Sequence, residues 1–135
     1  MNKKYLLSLF SVLFFCGCSS FLDAPRNILG FSRRDVEASR VRSSYQVYQV
    51  ETLAVFNAII AEFEAEKYYI FTKDEAGGFI MVMGIPGVVD TTEVGIFLTP
   101  MGDGQGVKVE VSSRSTPAKR VVAALLFSRL SEKFQ

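Results

Sequence analysis

The chain of 135 residues holds no histidine, no tryptophan and only two cysteines, Cys16 and Cys18. Without imidazole, neither a Ser-His-Asp nor a Cys-His arrangement can be assembled. HExxH zinc sites, His-ligated haem and His-based proton transfer are excluded with it. An excess of one charge is missing too. The 15 Lys and Arg stand against 14 Asp and Glu, so no surplus steers the chain toward nucleic acid. The length suits one domain rather than two.

What is present is organised from the first residues. Lys3 and Lys4 form a short positive start, and residues 5–15 are apolar except for Ser8 and Ser11. A run of about ten such residues is too short for the roughly 20 that span a bilayer as a helix. Followed by Cys16-Gly17-Cys18-Ser19-Ser20, it reads as a secretory signal peptide. The segment Leu13-Phe14-Phe15-Cys16-Gly17-Cys18 resembles the lipobox of bacterial lipoproteins, with small Gly17 before the cut and Cys18 as the acceptor. Phe15 and Cys16 depart from the usual Leu and Ala or Ser of that motif. The resemblance implies that residues 1–17 form a lipoprotein signal peptide, cleaved between Gly17 and Cys18, and that the Cys18 thiol carries a diacylglyceryl group. Two or three acyl chains on one residue anchor a protein stably, because each buried methylene contributes about 0.8 kcal/mol. The alternatives are a plain secreted protein with a cysteine pair near its cut, or a Cys-x-Cys metal or redox site. The second lacks any further thiol in the chain.

Processing at Cys18 would discard Cys16 and acylate the remaining thiol, leaving neither a free thiol nor a disulfide in an oxidising compartment. It would leave 118 residues with 13 basic side chains against 14 acidic, since Lys3 and Lys4 go with the signal. Ser19 stands where an aspartate would imply retention at the inner membrane. The resemblance thus implies a lipid anchor in the outer membrane, facing the periplasm.

Residues 18–43 read as a lipidated N-terminus and tether, mixing serines, Pro25, Gly30 and charges with isolated apolar residues. Residues 32–42 have the pattern of a short helix, with Ser32 as N-cap and Asp35 three positions on. Arg33, Arg34, Arg40 and Arg42 fall here, interleaved with Asp35 and Glu37. They read as attraction to anionic headgroups, at about 1 kcal/mol per basic residue at most, or more simply as solvated linker charges.

From residue 44 to 135 the patterns become regular and predict a single α+β domain. Residues 45–50 alternate as a first strand. Residues 51–66 place Leu53, Phe56, Ile60 and Phe63 on one helical face, widened by Val55 and Ile59. Strands are expected at 68–72, 79–83, 94–99 and 107–111, with turns at 73–78 and 100–106. Val107-Lys108-Val109-Glu110-Val111 has valines on one side and charges on the other, as a half-buried antiparallel strand does. Thr116 is placed as N-cap of a closing helix with Pro117 at its first position. The resulting order is β-α-β-β-β-β-α, one antiparallel sheet of three to five strands packed on two helices.

Candidate chemistry is sparse. Gly102-Asp103-Gly104-Gln105-Gly106 precedes a strand, so it suits a hairpin turn better than a phosphate-cradling loop before a helix. Asp90-Thr91-Thr92-Glu93 offers two carboxylates and two hydroxyls, a weak candidate surface site for a hard cation that wants six to eight oxygens. Turn and strand-entry capping explains the same residues. Glu62 and Glu66 share a helix face, Glu64 does not, and a solvated helix end accounts for all three better than a glycosidase pair. Ser112, Ser113, Ser115 and Thr116 with Lys119 invite a Ser/Lys nucleophile, but nothing in the pattern buries Lys119 to lower its pKa.

The pattern as a whole resembles small bacterial envelope lipoproteins. Residues 90–97 and 109–116 look like family motifs with no activity attached. Three functions stay in competition. The first is a non-catalytic binding or scaffolding domain that docks an envelope protein through a sheet edge or open sheet face. The second is a carrier or sensor of a small apolar ligand. The third is a hydrolase working with carboxylates alone. The expected partners are the membrane, through the lipid on Cys18, and an envelope protein. No cofactor, metal or nucleic acid is expected.

Overall fold

The apolar run 79–83, the alternation at 107–112 and the β-branched and aromatic residues of 94–100 suit a pleated, buried surface, and together they make the centre of the sheet. The computed structural model describes residues 33–102, 104 and 106–135. A short helix α1 (Arg33–Ala38) runs into a 3-10 turn (Ser39–Arg42), followed by strand β1 (Ser44–Tyr48) and helix α2 (Thr52–Ala65). Strands β2 (Tyr69–Asp74), β3 (Phe79–Met83), β4 (Val94–Pro100) and β5 (Val107–Ser112) come next, and helix α3 (Thr116–Phe134) closes the chain. The five strands form one antiparallel sheet in the order β1-β5-β4-β3-β2. The α+β class, the single sheet and the element order from β1 onward are as the sequence predicts. Among the described residues no helix is long and apolar enough to cross a membrane.

One face of the sheet carries Tyr48, Ile80, Val82, Val94, Ile96, Leu98, Val107, Val109 and Val111, all buried against α2 and α3. The expected α2 face is found in large part. Val55, Phe56, Ala58, Ile59 and Phe63 are buried, while Leu53 is 44% exposed and Ile60 only partly covered. The helix is rolled so that Ile59 and Phe63 point inward. Helix α2 ends with Lys67 at φ 59°. The Tyr68 N–H donates to Phe63 O at 2.9 Å and the Lys67 N–H to Glu64 O at 3.1 Å, the paired bonds of a Schellman ending. The Phe63 and Tyr68 rings stack at 5.6 Å across it. The α3 N-cap is Ser115, not Thr116: the Ser115 Oγ accepts from the Ala118 N–H at 3.3 Å. The cap falls one residue earlier because the Ser113 Oγ accepts the Ser115 N–H at 3.1 Å and turns the chain there.

The opposite face is where the structure departs most from expectation. Residues 33–42, read as the end of a tether, are folded against the sheet. Val36 of α1 is 1% exposed and packs with Phe79, Met81 and Phe97. Gly95 makes the approach feasible, since a Cβ there would lie 2.4 Å from Val36 Cγ1. Polar groups then fasten this strap. The Ser112 Oγ donates to Val36 O at 2.9 Å, Arg40 pairs with Glu110, and Arg33 pairs with Glu37 and Asp74. The guanidinium of Arg33 lies 4.6 Å from the Phe79 ring centre and that of Arg40 4.4 Å from that of Phe97. The Lys-and-Glu side of β5 is therefore covered: Glu110 is 6% exposed. Burial pushes the Glu110 carboxyl up, but Arg40 and Lys108 outweigh it and hold it below its usual value.

Candidate functional site

The loop of residues 84–93 joins β3 to β4 and is shaped by its own backbone. Asp90 O accepts the Gly84 N–H, Ile85 O the Val88 N–H and Val89 O the Thr92 N–H. Ile85, 1% exposed, roots the loop in the core. Asp90 and Thr91 are exposed and Thr92 and Glu93 half-buried. Among the described residues no group of three or more His, Cys, Asp or Glu is arranged to hold a metal. Cys18 and Gly17 lie outside the described residues.

Glu93 is the chemically unusual member of that loop. Its backbone oxygen accepts from the Ser113 Oγ at 2.6 Å, which ties the entry of β4 to the exit of β5. Its side chain turns inward, and its buried Oε1 has no hydrogen-bond partner. Burial, then the neighbouring Asp35 charge, push the Glu93 carboxyl up to about 7, partly offset by Arg114. Asp35 belongs to the strap and pairs with Arg114 at 3.5 Å. An open cavity of about 300 Å³ beside them is lined by Asp35, Ala38, Ser39, Arg42 and Arg114. The sequence marks Glu93 as a candidate but gives no sign of its partners, which come from segments some sixty residues before it and some twenty after it.

The second neighbourhood lies between β1 and α3. Every second residue of β1 turns toward the helices: the Gln46 Nε2 donates to the Ser131 Oγ at 3.1 Å and the Tyr48 hydroxyl to Phe127 O at 3.5 Å. Next to Ser44, at the start of the strand, opens a groove of about 340 Å³. Its other wall is the α3 stripe Thr116, Arg120, Ala123, Ala124 and Phe127, with Lys119 beside it. The stripe arises from positions three and four apart on a helix, which fall on one face. The floor is apolar and the charges lining it are basic. The Lys119 Nζ donates to Arg42 O, which ties α3 to the end of the strap.

The serines near Lys119 in sequence are otherwise engaged. Ser112 donates to Val36 O, Ser113 to Glu93 O, and Ser115 caps α3. Glu62 and Glu66 each face Arg129 of α3, at 3.7 and 3.8 Å. Met101 N–H donates to Gly106 O at 2.8 Å, so the glycine-rich stretch closes the β4–β5 hairpin, with Gly104 at φ 70°.

The fold and these two neighbourhoods define an α+β domain whose sheet is covered by helices on one face and in part by residues 33–42 on the other, with a basic-walled groove at one sheet edge. No protein-family model matches the chain, and no curated protein matches it either.

Proposed function

We propose that the chain is a membrane-anchored bacterial lipoprotein, held through lipid on Cys18, whose folded domain is a non-catalytic binding or scaffolding module in the periplasm. The N-terminal lysines, the short apolar run and the Gly17-Cys18 step support the anchor, with attachment to the outer membrane. The observation that carries the binding role is the groove of about 340 Å³ between β1 and α3. It puts an apolar floor next to a strand edge that pairs with no other described strand. That edge is one of the two docking modes the sequence suggests. The other, an open sheet face, is disfavoured because residues 33–42 cover part of it.

Two experiments test the reading. Cys18→Ser should abolish palmitate labelling and leave an unprocessed or soluble precursor; labelling that persists removes the anchor. A photo-crosslinking residue at exposed Ala124 in the groove should capture an envelope protein. The same probe at exposed Lys73, on the opposite edge strand β2, should not. Equal capture from both positions, or none from either, removes the groove as the binding site.

A further inference from the structure

The two edges of the sheet are built differently, and the difference indicates what the groove takes. Edge strand β2 has a register break between Ile70 and Thr72 and carries Lys73 and Asp74, the latter paired with Arg33. Bulges and charged side chains are how proteins prevent strands from adding to an edge. Edge strand β1, Ser44-Tyr45-Gln46-Val47-Tyr48, has no charged residue, no proline and an unbroken register from Ser44–Val111 to Tyr48–Val107. Its outer backbone groups pair with no described strand. The groove meets this edge at Ser44, its first residue. The hydrogen bonds of Gln46 and Tyr48 to α3 fix strand and helix as its two walls.

Charge narrows the occupant. Lys119 and Arg120 line the groove, and among the described residues neither has a carboxylate within ion-pair distance. An α3 N-terminus close by adds its positive end. In a second copy of this chain adding through its own β1, the strand Ser44–Tyr48 itself offers these cations no carboxylate.

Resting on the reading of the groove as the binding site, we propose that the partner is a protein that adds an extended segment to the sheet along β1. That segment sets a carboxylate, from Asp, Glu or a free C-terminus, against Lys119 and Arg120. Strand addition supplies sequence-independent backbone bonds. The apolar floor at Ala123, Ala124 and Phe127 and the two cations supply selectivity. A five-residue edge spans about 17 Å, enough for a segment of five or six residues.

The test uses the full-length lipidated chain in nanodiscs and a library of random decapeptides with free C-termini. Selected peptides should be rich in β-branched residues and should carry an acidic side chain or require the free carboxylate. Their binding should slow amide hydrogen exchange at residues 44–48. Arg120→Glu, on the exposed side of α3, should weaken binding by about tenfold or more, as loss of a charge-assisted contact does. Lys73→Glu on the other edge should leave it unchanged. Selection of peptides without acids, protection that appears away from β1, or no binder at all overturns the proposal. So does a concentration-dependent dimer that protects the same amides, or binding of phosphatidylglycerol vesicles that Arg120→Glu abolishes while no peptide binds. If the Ala124 crosslink still captures an envelope protein in any of these cases, the binding role stands and only the strand-addition mode is lost.

Discussion

The two faces of this sheet are covered, one fully and one in part, by different physics. On one, α2 and α3 cover a continuous apolar layer from Tyr48 to Val82, with Val55, Ile59, Phe63, Val122, Leu126 and Leu130 buried above it. On the other, residues 33–42 bring one buried aliphatic side chain, Val36, to Phe79, Met81 and Phe97. They hold it there with ion pairs and stacked guanidinium groups. Hydrophobic burial contributes in proportion to area, whereas the exposed pairs of Arg33 contribute about 0–1 kcal/mol each. The Arg40–Glu110 pair must offset the desolvation of its buried carboxylate. The helix face therefore carries the stability of the domain. The strap is a lighter cover whose strength depends on a few contacts and on pH.

The largest expected effect falls on the helix face. Phe63 is fully buried, stacks on Tyr68 and accepts the bond that ends α2. Phe63→Ala should cost about 3–5 kcal/mol in chemical denaturation, and the loss should appear in the whole domain. A cost under about 1 kcal/mol would mean that the helix layer is not the main core.

On the strap face the corresponding change is Gly95→Ala. Its Cβ would meet Val36 Cγ1 at 2.4 Å and the Phe79 and Phe97 rings at 3.2 Å. Overpacking of this kind costs about 1–3 kcal/mol. Much of that can be relieved by releasing α1. The expected result is fast hydrogen exchange confined to residues 33–42, with exchange in α2 and α3 nearly unchanged. Loss of protection throughout would show that strap and core are one cooperative unit.

The contrast between faces also explains what could be read from the sequence. Residues facing α2 and α3 recur at period 2 in Val107-Lys108-Val109-Glu110-Val111 and at helical spacing in α3, so one face was legible. The strap was not. Its only buried side chain is Val36, set among Arg33, Arg34, Asp35 and Glu37, and a single valine has no periodicity. Its partners, Asp74, Gly95, Glu110 and Ser112, are some forty to eighty residues away. One signal did point to it. The run Phe79-Ile80-Met81-Val82-Met83 is apolar at every position and buried at every position, and a strand without alternation is one covered on both faces. The groove was half legible: β1 lacks the charges that protect an edge, but its pairing with α3 is a tertiary fact. The roll of α2 away from Leu53 was hidden because Leu53 and Ile60 fit the helical spacing equally well.

Titration of Glu93 separates the faces further. Its folded value of about 7 lies above the ordinary 4.5, chiefly through burial and secondarily through Asp35 on the strap. A raised carboxyl value means the folded state binds the proton more tightly. Its stabilisation is then complete below about 4.5 and is lost as pH rises through 7. The domain should be more stable at pH 5.5 than at pH 8, by on the order of 1–2 kcal/mol after solvent screening. Glu93→Gln should flatten that dependence and stabilise the protein at pH 8. Glu110 works in the opposite sense: its value is lowered, so its contribution is present above the ordinary carboxylate range and fails in acid. Exchange protection of residues 33–42 should therefore be greatest between these limits. A strap that protects equally at pH 5.5 and 8 in the natural chain would contradict this account.

The smallest change tests the comparison most sharply. Lys67 holds a left-handed conformation at the end of α2, φ 59°, on the helix side of the sheet and away from the strap. Left-handed backbone costs a residue with a Cβ about 1–2 kcal/mol, part of which glycine returns through its greater freedom in the unfolded chain. Lys67→Gly should raise global stability by about 0.5–1 kcal/mol. Amides in α2, α3 and β5 that exchange by global unfolding should slow to match. If the strap opens by itself, the amides of residues 33–42 keep their original rate, because nothing that holds them has changed. If they slow in step with the core, the strap is released only when the whole domain unfolds, and the two faces differ in chemistry but not in cooperativity.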